Sequence, residues 1–290
     1  MAVAGAAVLF AGMVAGGEAV ASAGGEGTEP AAVAEGEAPL PGGPGASAGR
    51  EPGARTVVAI RDAELALRWC PPGSFEMGSP DHEGGRYDDE TLHRVVFTNG
   101  FWIGETEVTQ ELWQKVMGSN PSFRKSGGRY PVENVSWNEY NVFLGKLNDL
   151  APEGWSFSFP TEAQWEYACR AGSNEPYGGS GFLDEMGWYT YNSGGRTHPV
   201  AQKKPNDWGI YDMHGNVLEW CEDWYGSYPE DGETDGHDSA DSPHGDSRVL
   251  RGGSSWRDAR FCRSAFRFWN DPRRRFRLSG IRVVARKAGD

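Results

Sequence analysis

The chain has 290 residues, with 41 acidic against 28 basic side chains, a formal net charge of −13, and 41 Gly, 18 Pro and 12 Trp. That length allows one large domain or two small ones, and the Gly, Pro and Trp usage argues against a helical bundle. The negative charge argues against a generally basic nucleic-acid binder, and no apolar run reaches the ~18 residues that cross a bilayer.

Residues 1–23 carry an apolar stretch, Ala2 to Ala15, and end in Ala21-Ser22-Ala23. This is the pattern of a secretory signal peptide, although no Lys or Arg precedes the apolar part, and it implies a secreted or periplasmic protein. Residues 24–55 are Gly, Ala, Pro and Glu with almost no large apolar side chains, which predicts a disordered linker. Residues 56–290 then form a single domain. A helix is expected over QELWQKVM, with Thr109 as N-cap and Gly118 as stop. Capping boxes at Ser136/Glu139 and Thr161/Gln164 open two more, the first running to about Leu150 and the second ending at Gly172. Strand-like runs are Thr56–Ile60, Val95–Thr98, Phe101–Ile103, Val249–Arg251 and Gly280–Val284. Between Gly172 and Arg248 the turn-forming residues leave little room for regular structure. The fold class is α+β, irregular, with few helices and short strands.

Charge is unevenly placed. From Arg248 to Asp290 there are 13 basic and 3 acidic residues, directly after Glu230–Asp246, which holds seven acids and no Lys or Arg. The simplest expectation is that these two segments face each other at the surface.

Generic catalytic motifs are absent: no G-x-S-x-G, H-E-x-x-H, Walker loop or C-x-x-C occurs, and the six His residues do not fall at metal-ligand spacings. A specific order of phrases is present instead. Along the chain come WCPPGSFEMGS from Trp69, ETEVT from Glu105, PVENVSW from Pro131, FPTEAQWEYA from Phe159, GIYDMHGNVLEW from Gly209, RGGS from Arg251 and GIR from Gly280. This order closely resembles the formylglycine-generating enzyme (sulfatase-modifying factor) family over roughly residues 66–287. The resemblance implies a C-type-lectin-like fold. It also implies a Ca²⁺ site at Asp212, Glu219 and the carbonyls of Gly215 and Val217, and hard oxygen donors of this kind suit that ion.

Family enzymes that oxidise a sulfatase cysteine to formylglycine hold Cu(I) on a C-x₄-C pair after the Gly-Gly-Ser phrase. Here Arg257 stands at the first thiol position and only Cys262 remains, so copper is not expected and no catalytic residue is assigned. The resemblance also implies a Cys169–Cys262 disulfide, while Cys70 and Cys221 either pair or stay reduced; four cysteines allow three connectivities.

The final segment is similar as well to the variable region of ligand-display proteins diversified by retroelements. In that reading a fixed frame comprises Arg251–Ser254, Ala259, Arg260, Cys262–Ala265, Arg267, Pro272 and Gly280. Interleaved positions, Ser255 and Leu278 among them, would face the ligand, chiefly Trp256, Arg257, Phe261, Phe266, Phe268, Trp269, Arg274 and Phe276, and such Trp, Phe and Arg content suits interface hot spots. The expected activity is binding of an extended or macromolecular ligand, a protein rather than nucleic acid. The alternative is a sulfatase-modifying oxidoreductase or related enzyme acting on an exported peptide or thiol.

Overall fold

The computed structural model describes residues 50–228, 233–235 and 246–290, all within one unit, Gly42–Asp290. The expected signal peptide and most of the linker lie outside the described residues. The last linker residues are not loose, however. Arg50 pairs with Asp290 at 2.6 Å and lies over the rings of Trp69 and Trp102, and the Gly53 N–H donates to the Trp69 carbonyl. The packed body therefore begins at least six residues before Thr56.

Strands β1 (Arg55–Ile60) and β2 (Ala63–Cys70) form an antiparallel hairpin. In β2 the sequence AELALRWC alternates, and its Ala63, Leu65, Leu67 and Trp69 are buried. Strands β3 (Gly73–Met77), β4 (His93–Phe97) and β5 (Phe101–Gly104) follow. Helix α1 (Gln110–Met117) opens on the Thr109 side chain, which accepts from the Leu112 N–H, and stops at left-handed Gly118. Helix α2 (Trp137–Asp149) opens on the Ser136/Glu139 box. After β6 (Trp155–Ser158), α3 (Glu162–Arg170) opens on the Thr161/Gln164 box. Its stop falls one residue earlier than expected, on left-handed Ala171 (φ 49°).

The remaining elements are α4 (Leu183–Met186), β7 (Leu218–Trp224), β8 (Glu233–Thr234), β9 (Arg248–Arg251), β10 (Phe268–Asn270), β11 (Ser279–Gly280) and β12 (Val284–Lys287). Between Gly172 and Arg248, where little regular structure was expected, the longest described element is β7, an inner strand of a sheet ordered β10-β9-β7-β11. The run Gly280–Val284 is likewise not one strand. Gly280 pairs with β7, whereas Val284 pairs with β5 and β6 in a second sheet ordered β1-β2-β5-β12-β6. Between them Arg282 turns inward to its partner, described next. A third sheet runs β3-β4-β8.

One large apolar core lies around β1, β2, α1 and α2, including Trp69, Trp113 and Trp220; a second surrounds α3 and β4, including Trp165 and Tyr167. Around the second core lies a set of buried ion pairs. Arg251 bonds Glu166 and the carbonyls of Ser264, Ala265 and Phe266. Arg263 reaches Glu83 and Glu90 at 2.6–2.8 Å. Arg267 takes both oxygens of Glu162 at 2.7 and 2.8 Å. Arg282 holds Glu219 and the carbonyls of Gly104 and Tyr211. These buried arginines pair with helix α3, β7 and the loop before β4; most of the Glu230–Asp246 stretch that the charge pattern set against the basic segment lies outside the described residues. Such pairs add little net stability over apolar packing, but removing one partner is costly because the other charge is stranded.

Candidate functional site

The burial of the C-terminal segment follows the frame reading closely. Arg251–Ser254, Cys262–Ala265, Arg267, Pro272 and Gly280 are buried; within the frame only Ala259 and Arg260 are not. Gly252 and Gly253 have φ of 90° and 72°, and a Cβ on Gly253 would stand 2.5 Å from the Phe261 carbonyl oxygen, so only glycine fits. The interleaved Trp256, Arg257, Phe261, Phe268, Trp269, Arg274 and Phe276 are all exposed or half-buried. Ser255 and Phe266 are corrections: Ser255 is buried, and Phe266 is 8% exposed and packs edge-on against Tyr87 and Phe261, so it supports the surface rather than forming it.

The eight expected ligand-facing residues do not make one continuous contact. Arg257 lies over Phe261 and Phe268, and Tyr87 stacks on Phe261, giving one aromatic ridge. Trp269, 45% exposed, sits beside Tyr225. Trp256 and Phe276 line a cleft of about 560 Å³, whose other walls come from elsewhere in the chain.

Those walls were not found from the sequence. They include Phe123 and Arg124 from the loop after α1, Glu133 and Asn134 before α2, and Arg196, Arg275 and Arg277. Phe123 is 56% exposed and Trp256 57%. The Arg277 guanidinium lies 3.7 Å from the Phe123 ring centroid. An isolated bridge between Val135 and Phe276, and the Arg275–Glu139 pair, fasten the 275–277 strip to the start of α2. Glu133 is buried; one oxygen accepts the Arg124 N–H at 2.8 Å, and the other has no partner among the described residues. Burial pushes the Glu133 carboxyl above its usual range. The sequence signal that could have pointed here is Pro121-Ser122-Phe123-Arg124-Lys125, an aromatic beside two cations in a turn-rich stretch.

The cysteines correct a second expectation. All four are free and buried, and Cys169 is not joined to Cys262. The two belong to different apolar clusters, with the His214 ring between their segments. His214 Nε2 accepts the Gly178 N–H, so its Nδ1–H donates to the Cys262 carbonyl, and its ring lies 3.7 Å from the Cys169 sulfur. Burial pushes both thiols up to about 12, which leaves them protonated and poor as nucleophiles or metal ligands. The position preceding Cys262 by five residues holds Arg257, a cation that cannot ligate.

The expected calcium set fits only in part. Asp212 is buried and left-handed (φ 60°); its Oδ2 accepts the Ala201 N–H, and its Oδ1 has no partner among the described residues. Burial pushes its carboxyl up to about 6. Glu107, raised by burial and then by the Asp212 and Glu219 charges, also keeps an unpartnered oxygen. Gly215 could offer a carbonyl, and no other residue fits there, since a Cβ would meet the Trp188 carbonyl oxygen at 2.1 Å. Glu219 does not fit: its oxygens accept from Arg282 and, at 2.6 Å, from Trp165 Nε1. Among the described residues no three His, Cys, Asp or Glu side chains gather for a metal.

The irregular α+β body, with few helices and many short strands, has the formylglycine-generating-enzyme type of fold. The sulfatase-modifying factor enzyme 1-like domain matches residues 61–287, and the chain belongs to that family. The formylglycine-generating enzyme of Streptomyces coelicolor is 28% identical, with 79% of this chain and 91% of that protein covered. Chaperone protein LppX of Paenibacillus barcinonensis is 36% identical over 47% of this chain. The chain spans 66% of LppX and 34% of the serine/threonine-protein kinase pkn1 of Chlamydia caviae, another relative. Among solved structures, Treponema denticola variable protein 1 superposes with a TM-score of 0.72 at 31% identity, covering 80% of this chain and 99% of that one. PvdO from Pseudomonas aeruginosa superposes with a TM-score of 0.70 at 29% identity, covering 82% and 99%. No helix among the described residues is long and apolar enough to cross a membrane.

Proposed function

We propose that this protein is an exported binding module of the sulfatase-modifying factor family, which presents its C-terminal aromatic and arginine side chains to a protein ligand. The observation that carries this reading is the division within residues 251–280: the frame apart from Ala259 and Arg260 is buried, and the interleaved large side chains apart from Phe266 are exposed or half-buried. Such a division lets surface residues serve recognition without disturbing the core. The similarity to a solved variable protein of Treponema denticola supports the same reading. Export rests on residues 1–23, which resemble a signal peptide. Trp256→Ala should weaken ligand capture at least tenfold, the mark of a hot spot, while leaving the thermal midpoint unchanged. An unaltered affinity would remove the cleft from the binding surface.

The enzymatic alternative draws on the long match to a formylglycine-generating enzyme. Arg257 and the protonated, buried Cys262 argue against copper-dependent cysteine oxidation by this chain. Incubation with a Cys-containing sulfatase peptide, copper, reductant and oxygen should leave the peptide thiol intact by mass spectrometry; catalytic aldehyde formation would restore the enzyme reading.

Calcium belongs to the proposal as a structural ion beside Asp212, with Gly215 and Val217 carbonyls as the other donors. The unpartnered buried oxygens of Asp212 and Glu107 favour it. A cation bound only by the native state must raise the thermal midpoint, so an equal midpoint in calcium and in chelator would refute the site.

A further inference from the structure

The chemistry of the cleft goes further than the statement that it binds a protein. Its apolar and aromatic lining comes from Phe123, Trp256 and Phe276. Its rim carries Arg124, Arg196 and Arg277, all exposed, and none has a carboxylate within ion-pair distance among the described residues. Arg275 is different, being already held by Glu139. Arg277 uses one face of its guanidinium on Phe123, which leaves its N–H edge available for a forked bond to a carboxylate. These unpaired cations converge on a protein whose net charge is −13, so they are a local feature and not part of a generally basic surface.

We propose that the cleft takes an acidic peptide segment of the partner protein, one that carries an aromatic or large apolar side chain next to Asp or Glu. The apolar side chain packs on Phe123, Trp256 and Phe276, while the flanking carboxylates meet Arg124, Arg196 and Arg277. This deepens the binding-module reading and rests on it. A long polyanion fits less well: about 560 Å³ holds a few side chains, and the acidic body repels a continuous run of phosphates.

The test is panning of a displayed random dodecapeptide library against the full chain, followed by affinity measurements on the enriched peptides. Three variants are compared with the wild type: Trp256→Ala, the double variant Arg124→Gln/Arg196→Gln, and Lys146→Gln, on the exposed face of α2, as a control outside the cleft. The enriched peptides should be net negative and contain an aromatic or large apolar residue. They should bind at least tenfold more weakly to Trp256→Ala and to the double variant, and equally well to Lys146→Gln. Their salt dependence should flatten in the double variant. Neutral or basic peptides that still depend on Trp256 would overturn the acidic class and leave the cleft reading standing. Peptides indifferent to Trp256, or no enrichment at all, would overturn both. A single-stranded 12-nucleotide DNA that displaces the peptides at lower concentration than they displace one another would assign the cleft to nucleic acid and end the proposal.

Discussion

Arg267 and Arg274 are seven residues apart and carry the same charge, yet they should answer mutation very differently. Arg267 is buried, holds both oxygens of Glu162, donates to the Gly226 carbonyl and lies 3.9 Å from the Tyr228 ring centroid. Arg267→Ala leaves the Glu162 carboxylate with the Tyr228 hydroxyl at 3.1 Å and only the more distant Arg251 cation at 3.4 Å, and should cost about 3–5 kcal/mol in urea unfolding. Arg274→Ala, at an exposed site, should stay within about 0.5 kcal/mol. Arg267→Lys should fall between, because an ammonium cannot span both carboxylate oxygens. If Arg267→Ala unfolds at the wild-type urea midpoint, the ion pair does not carry the structural weight given to it here.

Helix α3 gathers much of this arrangement into nine residues: Glu162 and Glu166 for the arginines, and Trp165 against Glu219. Its start rests on the Thr161 box, so Thr161→Ala should lower stability by about 1 kcal/mol, and hydrogen exchange should rise first at the amides of the opening turn. An unchanged exchange pattern would mean that tertiary packing alone fixes the helix start. The three capped helices were legible in the sequence because caps are local: the side chain and the N–H it accepts from are three residues apart. Strand β2 carried an alternation that could have been read, whereas β7 did not. Glu219, Glu222 and Asp223 make β7 look like a polar loop, and Glu219 becomes an interior residue only through Arg282, 63 positions away. The same distance hid half of the cleft. Trp256 and Phe276 were legible as large side chains between frame positions, but Phe123, Arg124 and Arg196 reach them only through the fold.

Across the whole molecule the four cysteines serve as internal reporters. Cys70, Cys169 and Cys221 sit in the core around α3, and Cys262 in a separate small cluster with Leu183 and Tyr189. Each is fully buried, so a thiol reagent should label none of them in the native protein and all four in denaturant. In intermediate urea the four should label at rates within a few-fold of one another, tracking global opening. Early labelling of Cys262 alone would show that its cluster opens independently. The ion pairs have a consequence for how the chain is made. Every buried arginine among the described residues except Arg170 lies beyond position 250, while their acids, Glu83, Glu90, Glu162, Glu166 and Glu219, all come earlier. A chain leaving the ribosome N-terminus first thus has acids meant for the interior but not yet the cations that let them go there. Stable collapse should therefore wait for the final segment, and a chain truncated before position 250 should be cleaved by protease faster than the full chain.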